Sequence, residues 1–134
     1  MTTIESNKEN IKAKAEDIYN FLGNMNNFTA LMPPQIENWQ ATEDSCSFRV
    51  NGMADIGLKI IEKISFNKIV ISSDGNTPVS FTMLMHIDAI ADDESMFQIV
   101  FLSDMNSFMA MMVSKPLSNF VNILAQKLKE YFEK

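Results

Sequence analysis

Residues 107–134 carry one long amphipathic pattern, and it restricts the rest of the chain more than any other stretch. Apolar residues recur as Val113, Leu117, Phe120, Leu124, Leu128 and Tyr131, three or four apart. Ser114, Lys115, Ser118, Asn119, Asn122, Gln126, Lys129, Glu130 and Glu133 fall on the opposite side. One apolar stripe backed by one solvated stripe is the pattern of a helix laid on a core. At about 1.5 Å per residue this helix runs about 35–40 Å, enough to cross a small domain. Pro116 sits inside it, lacking an N–H and crowding the carbonyl of Met112, so a kink or a fresh start is expected there.

The remainder reads mostly as strands. Residues 2–12 are polar with Ile4 and Ile11, a pattern suited to an edge strand. Ala15, Ile18, Tyr19 and Leu22 share a helical face that stops at Gly23. A second short helix, capped by Asn26 or Asn27, runs to Leu31 before Pro33-Pro34 ends it. Beyond Gln35 the period is two. Residues 36–42 form a strand bearing Trp39, and Cys46, Phe48 and Val50 then alternate with Ser47, Arg49 and Asn51 up to an Asn51-Gly52 turn. Ala54, Ile56, Leu58 and Ile60 form the next inward set, followed by Ile69 and Ile71. Phe81, Met83, Met85 and Ile87 oppose Leu84 and His86, and Phe97, Ile99, Phe101 and Ser103 oppose Met96, Val100 and Leu102.

Strand, two short helices, six strands and a long helix describe an α+β chain. Its seven-stranded antiparallel sheet would wrap the terminal helix. A length of 134 residues suits one domain, 1–134, with one core.

Charge narrows the partners. Eleven Lys and Arg against seventeen Asp and Glu leave a formal charge of −6. That balance disfavours nucleic acid and anionic headgroups, which need clustered cations. No apolar run approaches the ~20 residues of a membrane span, and residues 1–5 lack signal-peptide character. Cys46 has no partner cysteine, so a reducing cytoplasm is the expected location.

This order of elements resembles the helix-grip fold of the START-like (SRPBCC) superfamily, which includes polyketide cyclases, lipid-transfer domains and birch-pollen-allergen-like proteins. The local likeness lies in Ala13-Lys14-Ala15-Glu16-Asp17-Ile18-Tyr19-Asn20-Phe21-Leu22 and in Asn27-Phe28-Thr29-Ala30-Leu31-Met32-Pro33. Gly52-Met53-Ala54-Asp55-Ile56-Gly57-Leu58-Lys59-Ile60 and Met111-Met112-Val113-Ser114-Lys115-Pro116-Leu117 look like a small Bacteroidetes-type subgroup. The resemblance spans essentially the whole chain and is structural. It carries over no catalytic residue and no metal or cofactor. It implies a cavity between sheet and long helix for a sterol, lipid, quinone or polyketide.

The inward sets and the helix put Phe48, Ile56, Leu58, Ile71, Phe81, Met83, Met85, Ile99, Phe101, Met109, Met112 and Phe120 around that cavity. Methionine is flexible and polarizable, so Met83, Met85, Met109 and Met112 either line an adaptable pocket or fill an irregular core. Ser73 and Ser103 are polar groups on the inward side, able to orient a ligand's polar end. Residues 108–114 either gate the cavity mouth at Pro116 or only follow the curved sheet.

Chemistry is thinly represented. His86 has outward parity and no ligand-spaced companion. Asp92-Asp93-Glu94 and Glu43-Asp44 lack a calcium-loop pattern and read as solvated turns. For an aromatase/cyclase-type reaction, Tyr19 and Tyr131 are the only candidate acids. A third reading is a partner surface, such as that of a weak homodimer, on Leu84, Met96, Val100 and Leu102 of the outer sheet face.

Overall fold

Period-two patterning becomes one antiparallel sheet in the computed structural model, which describes residues 2–32, 36–50, 55–74 and 80–133. Its strands are β1 (Thr2–Glu5), β2 (Glu9–Ile11), β3 (Ile36–Ala41), β4 (Ser45–Val50), β5 (Asp55–Ile64), β6 (Lys68–Asp74), β7 (Phe81–Ala91) and β8 (Glu94–Ser103). The spatial order is β1-β8-β7-β6-β5-β4-β3, with β2 also paired to β8. Helix α1 (Ala15–Leu22) and a 3-10 helix (Met25–Leu31) follow β2, and α2 (Ser107–Phe132) ends the chain. This is the α+β helix-grip arrangement expected above. Residues 33–35, 51–54 and 75–79 lie outside the described part, and with them the Pro33-Pro34 and Asn51-Gly52 signals.

Alternation holds where it was strongest. Met83, Met85 and Ile87 of β7 are buried, as are Phe97, Ile99, Phe101 and Ser103 of β8. Their partners in the strands, Leu84, His86, Met96, Gln98, Val100 and Leu102, are half-buried on the other face. Each fully buried Phe or Ile is worth about 1.5–3 kcal/mol relative to exposure, so the inward rows dominate stability.

The first strand departs from the expectation of one piece. Glu5 pairs with Val100 and Glu9 with Phe97, so three residues stand against two and the strand must bulge. Ser6 fills the break: its N–H donates to the Ile99 carbonyl at 2.9 Å, and its Oγ accepts from Ile99 N at 2.9 Å. Two short strands therefore replace one, and the sheet has eight.

A second bulge falls in β3 between Glu37 and Gln40. Asn38 takes a left-handed φ of 56° there, a conformation Asn tolerates better than most residues. The 3-10 helix is capped one turn earlier than expected, by Asn24, whose Oδ1 accepts from Asn26 N at 3.0 Å.

Glu94 is no solvated turn residue. It accepts from Asn10 Nδ2 and pairs with Lys12 Nζ at 3.2 Å, tying β2 to β8. These partners hold its carboxyl below the usual carboxylate range, the Asn10 bond first.

Candidate functional site

Helix α2 is one element through Pro116, with no fresh start. Asn106 caps it, Oδ1 accepting from Met109 N at 2.8 Å. At about 100° per residue, Ala110, Ser114, Leu117, Val121, Leu124, Ala125, Leu128 and Phe132 lie within a narrow sector. Val121, Leu124, Ala125 and Leu128 of that sector are buried. The true stripe is therefore rotated from the expected one. Tyr131 is 41% exposed, and Phe132 packs on the core in its place. The expected stripe omits Val121 and Ala125 because Ala125 is small and Val121 directly follows Phe120, which the spacing of three or four already takes up.

The two halves of α2 differ. Among the described residues from 107 to 120, none is buried. The sheet-facing positions of this half are small at Ala110 and Ser114, so the helix offers little side chain to the sheet there. In the second half they are Val121, Leu124, Ala125 and Leu128, and packing closes.

The sheet shows the same division. Cross-strand registers set Ile56 beside Phe48, Phe81 beside Ser103, and Phe101 beside Met83. Ile56 and Phe81, with Leu117, Phe120 and Met105, are inward or core-facing yet only partly buried. Leu58, Ile71, Met83, Met85 and Ile99, further along, are buried. Opposite the first half of α2 the apolar face of the sheet is thus only thinly covered, and we refer to this stretch as the cleft. The far end is sealed by α1, the 3-10 helix and the second half of α2.

Aromatic rings bound this cleft. Phe81 and Phe101 stack with centroids 4.7 Å apart and 28° between planes. Phe48 stacks on Phe120 of α2 at 5.9 Å and tilts against Trp39 at the same distance. Trp39 Nε1 donates to Thr29 Oγ1 at 2.7 Å, which fixes the indole.

The expected lining residues divide accordingly. Phe48, Leu58, Ile71, Met83, Met85, Ile99 and Phe101 are buried, and Ile56, Phe81, Met109 and Phe120 are half-buried. Met112 does not belong with them: it is 60% exposed. It stands about 180° around the helix from Val121, so it points away from the sheet. Phe108 and Met111, at 73% and 81% exposed, share its side of the helix.

The two serines are engaged with the backbone. Ser103 Oγ donates to the Ser80 carbonyl at 2.8 Å and accepts from Met105 N at 3.3 Å. Ser73 Oγ accepts from Phe81 N at 3.0 Å. Both pin the ends of strands that border the cleft.

The tyrosines lie elsewhere. Tyr19 meets Phe66 edge-on at 5.6 Å, and Tyr131 packs against Phe21 at 4.4 Å and Phe132 at 5.2 Å. Both rings sit at the sealed end and bring no acid or base to the cleft. His86 is on the outer face, paired in register with Lys68 and Gln98. Cys46 is buried on the inward face, and desolvation pushes its thiol up to about 12, away from any reactive thiolate. Among the described residues no group of three His, Cys, Asp or Glu converges as a metal site.

A concavity of about 570 Å³ lies on β3, β4 and β5. Asn38, Gln40, Ser47 and Asp55 give it polar side chains, whereas Ala41, Cys46, Phe48 and Ile56, also in its lining, have inward parity. Arg49 Nε donates to Asp55 at 2.8 Å beside it, and this contact lowers the Asp55 pKa. Gly57 forms part of its wall because no side chain fits: an added Cβ would lie 2.4 Å from the Asp74 carbonyl oxygen. Its lining is thus mixed, and it adjoins the cleft at Phe48 and Ile56.

Three solved structures share this architecture across nearly the whole chain. A START superfamily protein from Mycobacterium smegmatis matches with a TM-score of 0.73 at 13% identity, covering 98% of this chain and 97% of that one. Norcoclaurine synthase from Thalictrum flavum, in complex with dopamine and hydroxybenzaldehyde, gives 0.76 at 13%, covering 97% and 85%. The Aha1 dimer from Colwellia psychrerythraea gives 0.67 at 18%, covering 99% and 97%. At these identities the likeness is one of fold, and the chain has the START-like helix-grip fold. None of the three bears on the Bacteroidetes-type subgroup. No protein-family model matches the chain. No curated protein matches it. No helix among the described residues is long and apolar enough to cross a membrane.

Proposed function

We propose that this chain binds or carries a hydrophobic small molecule, a lipid, quinone or polyketide-like compound, in the cleft between the sheet and the first half of α2. One observation carries the reading. The inward line of α2 goes from buried Val121, Leu124 and Leu128 to small, half-buried Ala110 and Ser114, and on the sheet apolar Ile56 and Phe81 are left partly exposed. Leaving apolar surface wet forgoes about 25 cal/mol per Å², so a filled cleft is the lower-energy state. Phe48, Phe81, Phe101 and Phe120 form rigid walls, and Met83 and Met109 adjust to shape. A neighbour of like fold holds dopamine and hydroxybenzaldehyde, which supports a cleft of this kind accepting small organic molecules.

The reading is binding rather than catalysis, because the titratable group on the inward face beside Phe48 is Cys46, whose thiol burial keeps protonated. The buried lone thiol of Cys46 fits a reducing cytoplasm. Native mass spectrometry of protein purified from its own host tests the proposal. A co-purifying apolar adduct is expected. Protein that carries none, and that leaves the fluorescence of an apolar dye unchanged, would oppose it.

A second reading has an observation of its own. Val70, Leu84 and Val100 form a continuous cross-strand row on the outer face, flanked by Glu62 and Glu5. A weak homodimer over that row would show as a concentration-dependent mass in sedimentation. A constant monomer mass removes it.

A further inference from the structure

The cleft has apolar walls and no charge. Among the described residues the buried polar ones are Ser6, Ser95 and Ser103, and none is ionisable. Ser103 at the cleft edge already donates to Ser80 and accepts from Met105.

Cations near this end face away from it. Arg49 follows Phe48 in β4 and so has the opposite parity; its guanidinium is bonded to Asp55. Lys59 pairs in register with Ser45 and Ser72 on that same outer face. Lys115, the one charged residue between 107 and 116, is exposed and about 160° around α2 from Leu117. Lys63 has inward parity beside Ile69, but it lies at the sealed end near Gly23.

An anionic group inside the cleft would lose its water and find no counter-ion, which is among the costliest burials a protein can make. The surrounding field adds to this, since the chain's formal charge is −6. We infer that the cleft selects neutral over anionic ligands. A compact uncharged ring compound binds, and its counterpart carrying a carboxylate or sulfonate on the ring is refused. A long-chain acid escapes the rule only where its head reaches water at the mouth. This inference rests on the ligand-binding reading above and adds the chemical class.

Two dyes with one skeleton provide the test: uncharged N-phenyl-1-naphthylamine and its sulfonate, 8-anilino-1-naphthalenesulfonate. The neutral dye is expected to bind at least about tenfold tighter. Because it is also the greasier of the two, variants separate charge from hydrophobicity. Ile56→Lys sets a cation on the sheet wall and Met109→Lys sets one on the helix. In whichever variant keeps the wild-type circular dichroism, the ratio of affinities should move toward the sulfonate by about tenfold. Equal or tighter binding of the sulfonate to the wild type, or a ratio that neither lysine moves, overturns the inference and leaves ligand binding standing. Binding of neither dye overturns the ligand-binding reading and this inference together.

Discussion

Phe120 of α2 stacks on Phe48 of β4 with ring centroids 5.9 Å apart and 26° between planes. The contact marks where the terminal helix meets the sheet. On one side of it, toward Val121 and Leu128, the helix is packed; on the other, toward Ala110, it is not. Phe120→Ala is expected to cost roughly 1–3 kcal/mol, less than a fully buried Phe because the ring is half-buried. A double-mutant cycle with Phe48→Ala should return a coupling of about 0.5–1.5 kcal/mol in chemical denaturation. Additive losses would mean that the two rings do not support one another.

The unequal halves of α2 make opposite responses to size. Leu124→Ala empties a buried site and should cost about 2–5 kcal/mol. Ala110→Leu and Ser114→Leu add volume where the helix is not packed, so stability should hold within about 1 kcal/mol while dye binding is lost. Strong destabilisation by both added leucines would show that the first half of α2 has no room beneath it.

Gly57 is expected to tolerate no side chain. A Cβ there would lie 2.4 Å from the Asp74 carbonyl oxygen and 3.1 Å from its carbon, both backbone atoms that cannot swing aside. Gly57→Ala should cost roughly 1–3 kcal/mol and speed amide exchange at the end of β5 and β6. Gly23 is the control. Its φ is −73° and its added Cβ would meet Tyr19 O at 3.2 Å, a tight contact that a shift of a few tenths of an ångström relieves, so Gly23→Ala should cost less than Gly57→Ala by thermal melting.

Cys46 gives an alkaline signature. Burial raises its pKa to about 12, above the value near 9 of an unfolded thiol. The unfolded chain therefore releases this proton first as pH rises. Stability from the neutral buried thiol is fully present below about pH 9 and is lost as pH climbs toward 12, at up to roughly 1.4 kcal/mol per pH unit. Cys46→Ala should flatten that part of the pH profile relative to wild type in denaturant titrations. Parallel profiles for the two proteins would contradict the shift.

Much of this was legible from the chain because alternation reports the buried face directly. Met83, Met85 and Ile87, or Phe97, Ile99 and Phe101, can face only one way once the sheet has a single core side. The helix was read less well. Counting large apolar residues favoured Tyr131, whereas Ala110, Val121 and Ala125 define the sheet-facing line. Placing Met112 in the cavity was the cost of that rotation. The break at Ser6 and the bulge at Asn38 depend on register between distant strands, which no local pattern encodes. The concavity on β3, β4 and β5 depends on the same registers, since Ser47, Gly57 and Asp74 meet only through the pairing of β4, β5 and β6. The cleft was harder still. Its signal is an absence of bulk at Ala110 and Ser114, and small residues on a helix carry no message until the wall they face is known.

Methyl resonances of the methionines read the position of a bound ligand directly. With 13C-methyl methionine and uncharged N-phenyl-1-naphthylamine, shifts are expected at Met105, Met109 and Met83, beside the first half of α2. Met25 at the sealed end and Met96 on the outer face should stay in place. Shifts confined to Met96, or no shift at any of them at saturating dye, would contradict a ligand cleft between this helix and the sheet.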